Sequence, residues 1–392
     1  MREFEYEELS KATKHFSNSQ IIGKGSHGCI YKGSLEDGQV VAIKRWSLGL
    51  QNLQDNTKLD NEASILSSLP KTHHIVSLLG TSPDSIRSIR QINKVTSVAM
   101  LVMELIPNGT LHDLLHTNSH PSIILTWEKR VEIALQIARA LQFLHTLKPK
   151  VIHRDIKSTN ILLDNNFRPK LIDFGLAVRL DDVAVNRLPG RVNRVIPTTQ
   201  PAGTIGYLDP SYTTPCMLST KNDVFSFGVV LLEIITGEKV IDATRSTTSL
   251  IDWVVPLVEK REFSRIFDQK MTFSRFMEGV MMQVLDLAIR CVSSNVDDRP
   301  TSDEIVHKLE NCYYSLLQGL RRPIWVKFIS GFIILKRRRR ERAMVSKKWE
   351  NGVTSIKCVA CQRDVIPHNN NEVSFRKLLL KDFLADMNDH LV

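Results

Sequence analysis

Two Asp, an Asn and a Lys concentrate on short segments that read as loops between strands. His153-Arg154-Asp155-Ile156-Lys157-Ser158-Thr159-Asn160 is followed by Asp173-Phe174-Gly175. Carboxylate and amide oxygens grouped in this way are the hard donors that Mg²⁺ takes, and a Lys among them suits phosphate. Upstream, Gly23-Lys24-Gly25-Ser26-His27-Gly28 spells G-x-G-x-x-G. That pattern alone is weak, because a dinucleotide-binding turn, a phosphate-covering hairpin tip and an ordinary tight turn can all carry it. The dinucleotide alternative needs a helix directly after the last Gly. Here Cys29-Ile30-Tyr31-Lys32 continues as strand and returns through Asp37-Gly38, which sets the glycines at a hairpin tip where bare N–H groups can close over phosphates. Val41-Ala42-Ile43-Lys44 then ends an apolar strand on Lys. An ammonium there is costly unless paired, and Glu62 is the candidate partner.

The elements that must position these residues follow from apolar periodicity. Residues 21–44 read as strand, turn, strand, and 58–69 as a helix carrying Glu62 with Leu59, Ala63 and Leu66 on one face. Strands are expected at Ile75–Leu79 and Val98–Leu105, with a polar loop over 84–97. Thr126–Thr146 repeats Val131, Ala134, Ile137, Ala138, Leu141 and Leu144 at helical spacing, and Thr126 offers an N-cap. Short strands are expected at Val151-Ile152, Ile161–Leu163 and Lys170–Ile172, then helices from about 219 to 316. The pattern is a small β-rich unit followed by a larger α-rich one, without internal repeats.

The chain has 392 residues, 42% hydrophobic and 24% charged, an ordinary globular balance that excludes wholesale disorder. Its net charge of +10 is uneven. Residues 319–350 hold 11 Lys/Arg against 2 Asp/Glu, whereas the first 318 residues carry 36 against 35. The high pI therefore belongs to a tail and gives no reason to assign nucleic-acid binding to the main body. Six scattered cysteines without a signal peptide argue against a disulfide framework and for a reducing compartment. No run reaches the roughly 18–20 apolar residues of a membrane span. Val224–Thr236 contains Glu233 and reads as a helix buried in a large core, Ile324–Leu335 contains Lys327, and Met1-Arg2 lacks the Gly needed for myristoylation.

In this order and spacing the motifs resemble the signature set of eukaryotic protein kinases, over residues 16–317, roughly four fifths of the chain. The flavour is that of plant receptor-like kinases. Phe4-Glu5-Tyr6-Glu7-Glu8-Leu9, with Ala12-Thr13 and Phe16-Ser17, is similar to their lead-in. Gly203-Thr204-Ile205-Gly206-Tyr207-Leu208-Asp209-Pro210 resembles their substrate-docking loop, Asp223-Val224-Phe225-Ser226-Phe227-Gly228 their central buried helix, and Asp298-Arg299-Pro300 their late Arg-Pro motif. With neither ectodomain nor spanning helix, the chain looks most like a receptor-like cytoplasmic kinase near the Crinkly-related group.

That resemblance implies an α+β, bilobal fold: a lead-in over 1–15, a β-rich N-lobe over 16–106 with one regulatory helix, an α-rich C-lobe over 107–317, and a basic, flexible tail over 318–392. It implies ATP and Mg²⁺ as cofactors and Ser/Thr hydroxyls of proteins as acceptors, with autophosphorylation and a place in plant receptor-linked signalling. Gly23, Gly25 and Gly28 would cover the triphosphate. Ile22, Ile30, Ala42, the gatekeeper Met103 and the hinge from Glu104 to Ile106 would hold adenine. Lys44, fixed by Glu62, would hold the α/β-phosphates, and Asn160 and Asp173 would bind Mg²⁺. Asp155 would accept the substrate proton, and Lys157 would neutralise the γ-phosphate and form with Thr204 the Ser/Thr-type arrangement. Arg154 beside Asp155 suggests regulation by a phosphate from the activation segment, with Thr199 or Thr198 as the switch and Thr204 kept for structure; ordinary loop threonines are the plainer alternative. One departure stands out: relatives carry Glu where this chain has Ser211, and that Glu pairs with the Arg equivalent to Arg299. Losing a carboxylate from a buried Arg costs about 3–5 kcal/mol unless Asp209 or Asp298 compensates. A pseudokinase scaffold is the rival reading that Ser211 favours.

Lys336-Arg337-Arg338-Arg339-Arg340 follows apolar Ile324–Ile329 in the tail. Three readings compete: a solvated tail, attachment to anionic lipid, and a nuclear-import or nucleic-acid patch. Apolar plus polybasic is the two-signal pattern of peripheral attachment, so lipid ranks above nucleus, and the expected location is cytoplasmic, at most peripheral at the plasma membrane. Expected partners are protein substrates, an upstream receptor kinase and an anionic membrane surface through residues 319–350, with nucleic acid disfavoured. Cys358-Val359-Ala360-Cys361 lacks the second ligand pair of a structural zinc site and reads as ordinary thiols.

Overall fold

The computed structural model describes residues 1–25, 28–45, 53–83, 98–117, 125–180, 201–212, 218–271 and 275–321. The chain divides into the units Met1–Arg322 and Pro323–Val392, and every described residue belongs to the first.

The N-terminal part is a six-stranded sheet. Its strands are β1 (Arg2–Glu3), β2 (Ile21–Gly25), β3 (Gly28–Ser34), β4 (Val40–Arg45), β5 (Leu78–Pro83) and β6 (Val98–Glu104), in the order β1-β5-β6-β4-β3-β2. All pairs are antiparallel except β1 with β5. The β3–β4 connection turns where expected: Gly38 has φ +83 and donates its N–H to Leu35 O, while Gln39 N–H donates to Asp37 Oδ1. Helix α1 (Tyr6–Ala12) lies on β3, and α2 (Leu53–Ser68) packs on β5 and β6, starting five residues before the helix expected at 58–69.

The first 15 residues contribute two side chains to the core of this sheet. Phe4 and Leu9, 2% and 0% exposed, pack with Tyr31, Val41, Ile43 and Val102. Gly80 makes room for them, because a Cβ there would stand 2.0 Å from Arg2 O and 2.6 Å from the Phe4 ring. Arg45 covers this cluster from outside, its guanidinium 3.9 Å from the Phe16 ring centroid.

The expected strand at Ile75–Leu79 is displaced. Ile75 and Val76 are buried, yet they bond to Leu171 rather than to the sheet, through Val76 N–H to Leu171 O and Leu171 N–H to His74 O. Their apolar run reports burial between the N-terminal sheet and the larger helical part, and β5 begins three residues later.

The larger part is helical: α3 (Leu111–His116), α4 (Trp127–Thr146), α5 (Thr220–Thr236), α6 (Leu250–Glu259), α7 (Arg275–Cys291) and α8 (Ser302–Arg321). Two small ribbons, β7 (Lys150–Ile152) with β10 (Val178–Leu180) and β8 (Ile161–Leu163) with β9 (Pro169–Leu171), carry the loops of interest. Thr126 caps α4 by accepting from Lys129 N–H, as its position predicts. Helix α5 is the buried axis, with every residue from Asn222 to Thr236 inside. Ser219 and Asn222 form its capping box, and Gly237 ends it at φ +69, where a Cβ would meet Asp268 Oδ2 at 2.6 Å. Among the described residues no helix is long and apolar enough to cross a membrane.

Candidate active site

The β2–β3 hairpin brings Gly25 opposite Gly28 across the ladder. Ile22 on β2 is 51% exposed, a high value for an apolar strand residue, while Ala42 and Met103 are cross-strand partners and buried. Glu104, closing β6, is tied down: its side chain accepts from Lys170 Nζ at 2.8 and 3.0 Å and from Ser77 N–H at 2.8 Å. Ile106 follows, buried, at the start of the link to α3.

Lys44, next to last in β4, lies between two carboxylates, 2.6 Å from Glu62 Oε2 on α2 and 2.9 Å from Asp173 Oδ1. Burial alone would lower the ammonium pKa, but Glu62 and Asp173 outweigh it and raise it, so Lys44 stays charged. The sequence pointed to Glu62 as partner; the second carboxylate comes from the larger, helical part of the chain and couples α2 to the Asp173 loop. Asn61, beside Glu62, strengthens that coupling. Its Nδ2 donates to the carbonyls of Phe174, Gly175 and Ala177 at 3.3, 3.1 and 2.8 Å. No spacing rule singles Asn61 out, because its partners are backbone atoms more than a hundred residues away.

Asp155 lies across the same cleft, whose lining includes Lys44, Glu62, Asp155 and Asp173. Its Oδ1 accepts from Thr204 Oγ1 at 2.6 Å, and its Oδ2 faces Lys157 Nζ at 2.7 Å and Asn160 Nδ2 at 3.0 Å. Lys157 Nζ also donates to Thr204 Oγ1 at 2.8 Å, which closes a triangle. Asn160 Nδ2 bonds Asp155 O as well, at 2.9 Å. With its amide hydrogens turned to Asp155, the atom Asn160 can offer a cation is Oδ1, a hard donor like the Asp173 carboxylate. The donor set thus fits Mg²⁺, and the Lys44 ammonium fits a polyphosphate.

Asp223, at the start of α5, holds the loop that carries Asp155. Its carboxylate accepts from His153 N–H and Arg154 N–H, both at 2.9 Å, and from His145 Nε2 at 3.1 Å. Burial pushes its pKa up, but the hydrogen bond and charge of His145, with those of His153, prevail and lower it. Arg154 has φ +69 and Asp173 φ +65, left-handed conformations that non-glycine residues adopt where surroundings dictate them. A charged residue opening an otherwise apolar helix was the available signal for Asp223. The Arg154 guanidinium is 8% exposed as a residue and lies 5.8 Å from the Tyr212 ring centroid. Thr198 and Thr199, with Arg187, Arg191, Arg194 and the residues from Arg322 to the C-terminus, lie outside the described residues, as do Ser26 and His27.

Ser211 is compensated. Arg299, with no exposed side-chain surface, forms a two-pronged pair with Asp209, bonding Oδ2 through Nη1 and Oδ1 through Nη2 at 2.9 Å. Ser211 Oγ supports the same Oδ1 at 2.7 Å, Asn222 Nδ2 supports Oδ2 at 2.8 Å, and Arg299 Nε bonds Ser293 O at 2.8 Å. Of the two substitutes the sequence suggested, Asp209 takes the role.

The chain is similar to known proteins over most of its length. The protein kinase domain family matches residues 16–309. A serine/threonine-protein kinase-like protein of Arabidopsis thaliana is 40% identical over 356 residues, which cover 87% of this chain and 95% of that protein. Another of the same description from Arabidopsis thaliana is 39% identical over 350 residues, 88% of this chain and 67% of that protein. The Arabidopsis thaliana proline-rich receptor-like protein kinase PERK8 is 37% identical over 314 residues, 78% of this chain but 42% of that longer protein. A charged Lys held by two carboxylates, an Asp–Lys–Thr triangle facing it, and matches of this extent place the chain in the protein kinase family, as a serine/threonine kinase of the plant receptor-like type.

Proposed function

We propose that this kinase moves the γ-phosphate of Mg·ATP onto Ser and Thr hydroxyls of other proteins and of itself, and that it relays signals from a receptor kinase. The observation that carries this reading is the pairing of Lys44 with both Glu62 and Asp173 in one cleft with Asp155. Lys44 binds and orients the α/β-phosphates. The backbone of Gly23, Gly25 and Gly28 covers them, and Ile22, Ile30, Ala42 and Met103 enclose adenine against the segment from Glu104 to Ile106. Asn160 and Asp173 hold Mg²⁺, which when bound neutralises charge on the transferring phosphoryl group. Asp155 orients the acceptor hydroxyl and takes its proton, Lys157 steadies the γ-phosphate, and Thr204 keeps both side chains in register. The Ser211 departure, which alone would favour a non-catalytic scaffold, loses its force because Asp209 pairs with Arg299.

Transfer of labelled phosphate, onto the protein itself and onto a generic acceptor, tests the reading. Incorporation is expected in the full chain and absent in Lys44→Ala. Tight nucleotide binding without incorporation would turn the reading to a scaffold. Arg154, on the loop beside Asp155, is the group we assign to receive an activating phosphate from Thr199 or Thr198. Replacing both threonines with Ala is expected to lower activity about 10-fold or more, the equivalent of one hydrogen bond to a charged group at about 1.5–3 kcal/mol; unchanged activity with no phosphate mapped there would refute the assignment. For residues 319–350, with 11 Lys/Arg against 2 Asp/Glu, we propose reversible attachment to anionic membranes. The full chain should pellet with phosphatidylserine-containing vesicles at low salt, release at high salt, and fail to pellet once 319–350 are deleted.

A further inference from the structure

Beneath the docking loop sits a second cluster of metal-ligating side chains that phosphate chemistry does not use. His112 and His116 are four residues apart on α3 and so share one face, with ring centroids 4.7 Å apart. Glu233 reaches them from the last turn of α5. Its side chain is 1% exposed, that of His116 2% and that of His112 33%. His116 Nε2 lies 2.8 Å and His112 Nδ1 3.8 Å from Glu233 Oε1. Ser158 Oγ donates to the same oxygen at 2.8 Å, and Tyr207 OH donates to Oε2 at 2.8 Å.

A carboxylate enclosed in this way needs its charge answered. Among the described residues no Lys or Arg forms an ion pair with it; the groups at ion-pair distance are the two imidazoles. Imidazoles can answer a buried negative charge in two ways, by carrying a proton or by sharing a metal ion.

We propose that His112, His116 and Glu233 bind a divalent transition-metal ion, Zn²⁺ foremost, at a structural site separate from the Mg·ATP cleft. The three ligand atoms lie within 4.8 Å of one another. Zn²⁺ with bonds of about 2.0–2.1 Å in a tetrahedron sets its ligand atoms about 3.4 Å apart. The observed separations of 2.8 and 3.8 Å from the Glu233 oxygen straddle that value, and the two imidazole nitrogens, at most 4.8 Å apart, must draw together by rotation of the half-exposed His112 ring to complete the set. Two imidazoles and a carboxylate form a set that suits Zn²⁺, whereas Mg²⁺ prefers oxygen alone. The partly exposed edge of His112 leaves the fourth position to water. The ion ties α3 to α5, and through Ser158 and Tyr207 it braces the loop carrying Asp155 and the docking loop carrying Thr204.

The test uses the full chain, stripped of metal, with Cys358→Ser and Cys361→Ser so that the tail thiols cannot compete for the ion. Co²⁺ alone and Zn²⁺ alone are the probes. Stoichiometric Co²⁺ binding is expected, with the visible bands of a tetrahedral nitrogen/oxygen site, and Zn²⁺ should displace it and raise the thermal midpoint. His112→Ala leaves the 2.8 Å His116–Glu233 bond in place, so the metal-free protein should melt as before. In that variant the bands should vanish and Zn²⁺ affinity should fall at least ~10-fold. His116→Gln should act likewise. No stoichiometric binding, or binding unchanged in His112→Ala, would overturn the proposal and leave the proton as the answer to the Glu233 charge.

Discussion

With Asp155→Asn, phosphate transfer is expected to fall by about 10²–10⁴-fold, the usual contribution of a positioned general base, while ATP affinity holds. The reason lies in the bonds that Asp155 makes. Its two oxygens face one hydroxyl donor, Thr204, and two nitrogen donors, Lys157 and Asn160. An Asn has one acceptor oxygen and an NH₂ in place of the second. Turned toward Lys157 and Asn160, that NH₂ meets donors; turned toward Thr204, it meets a hydroxyl that already accepts from Lys157. The substitution removes the proton acceptor and also disturbs the triangle, so both kcat and the position of Lys157 should suffer. The nucleotide contacts proposed for Lys44 and Asp173 do not depend on Asp155, so retained ATP binding separates lost chemistry from lost fold. Single-turnover transfer at saturating ATP is the measurement. Transfer within a few-fold of the wild type would show that Asp155 is not the base.

The parts of this kinase that were legible in the sequence are those carried by local spacing. Thr126 and the apolar repeat behind it specify α4, Asp37-Gly38 specifies the β3–β4 turn, and the run from Val224 to Thr236 specifies a buried axis. Residues that work through distant partners left weaker traces. Asn61 binds three carbonyls of the Phe174–Ala177 segment, and nothing in its neighbourhood along the chain announces them. Phe4 and Leu9 sit in the core because Gly80 lets β1 approach, a contact between segments almost eighty residues apart. Ile75 and Val76 illustrate the opposite error: two β-branched residues predict a strand, yet they are buried by pairing with Leu171 instead of the sheet. Propensity reports that such residues are inside, while topology decides what covers them.

Asp209→Ala is expected to cost about 3–5 kcal/mol of stability, because it strands a fully buried guanidinium. Arg299 has no exposed side-chain surface and spends two of its nitrogens on Asp209. The remaining bonds, to Ser293 O, Lys221 O and Ser211 Oγ, are to neutral groups and cannot balance a charge. Thermal unfolding should register a fall on the order of 10 °C. A loss of 1 kcal/mol or less would mean that water reaches Arg299 or that another carboxylate moves in. Ser211→Glu supplies the discriminating second variant. Ser211 Oγ stands 3.5 Å from Arg299 Nη2, so a carboxylate grown from position 211 can reach the same guanidinium. Added to Asp209→Ala it should restore part of the loss; added to the wild type it should not stabilise, since Asp209 already occupies the pair. The pH dependence follows from the same contact. Burial would raise the Asp209 pKa, but hydrogen bonds from Arg299 and Ser211 outweigh it and lower it below 3.8. A carboxyl depressed in the folded state contributes stability that is full above its unfolded value and drains away as pH falls toward the folded one. The gap in stability between wild type and Asp209→Ala should therefore be constant at neutral pH and narrow only below about pH 4. A gap that instead narrowed between pH 5 and 7 would point to a histidine, and would remove Asp209 as the group that replaces the missing glutamate.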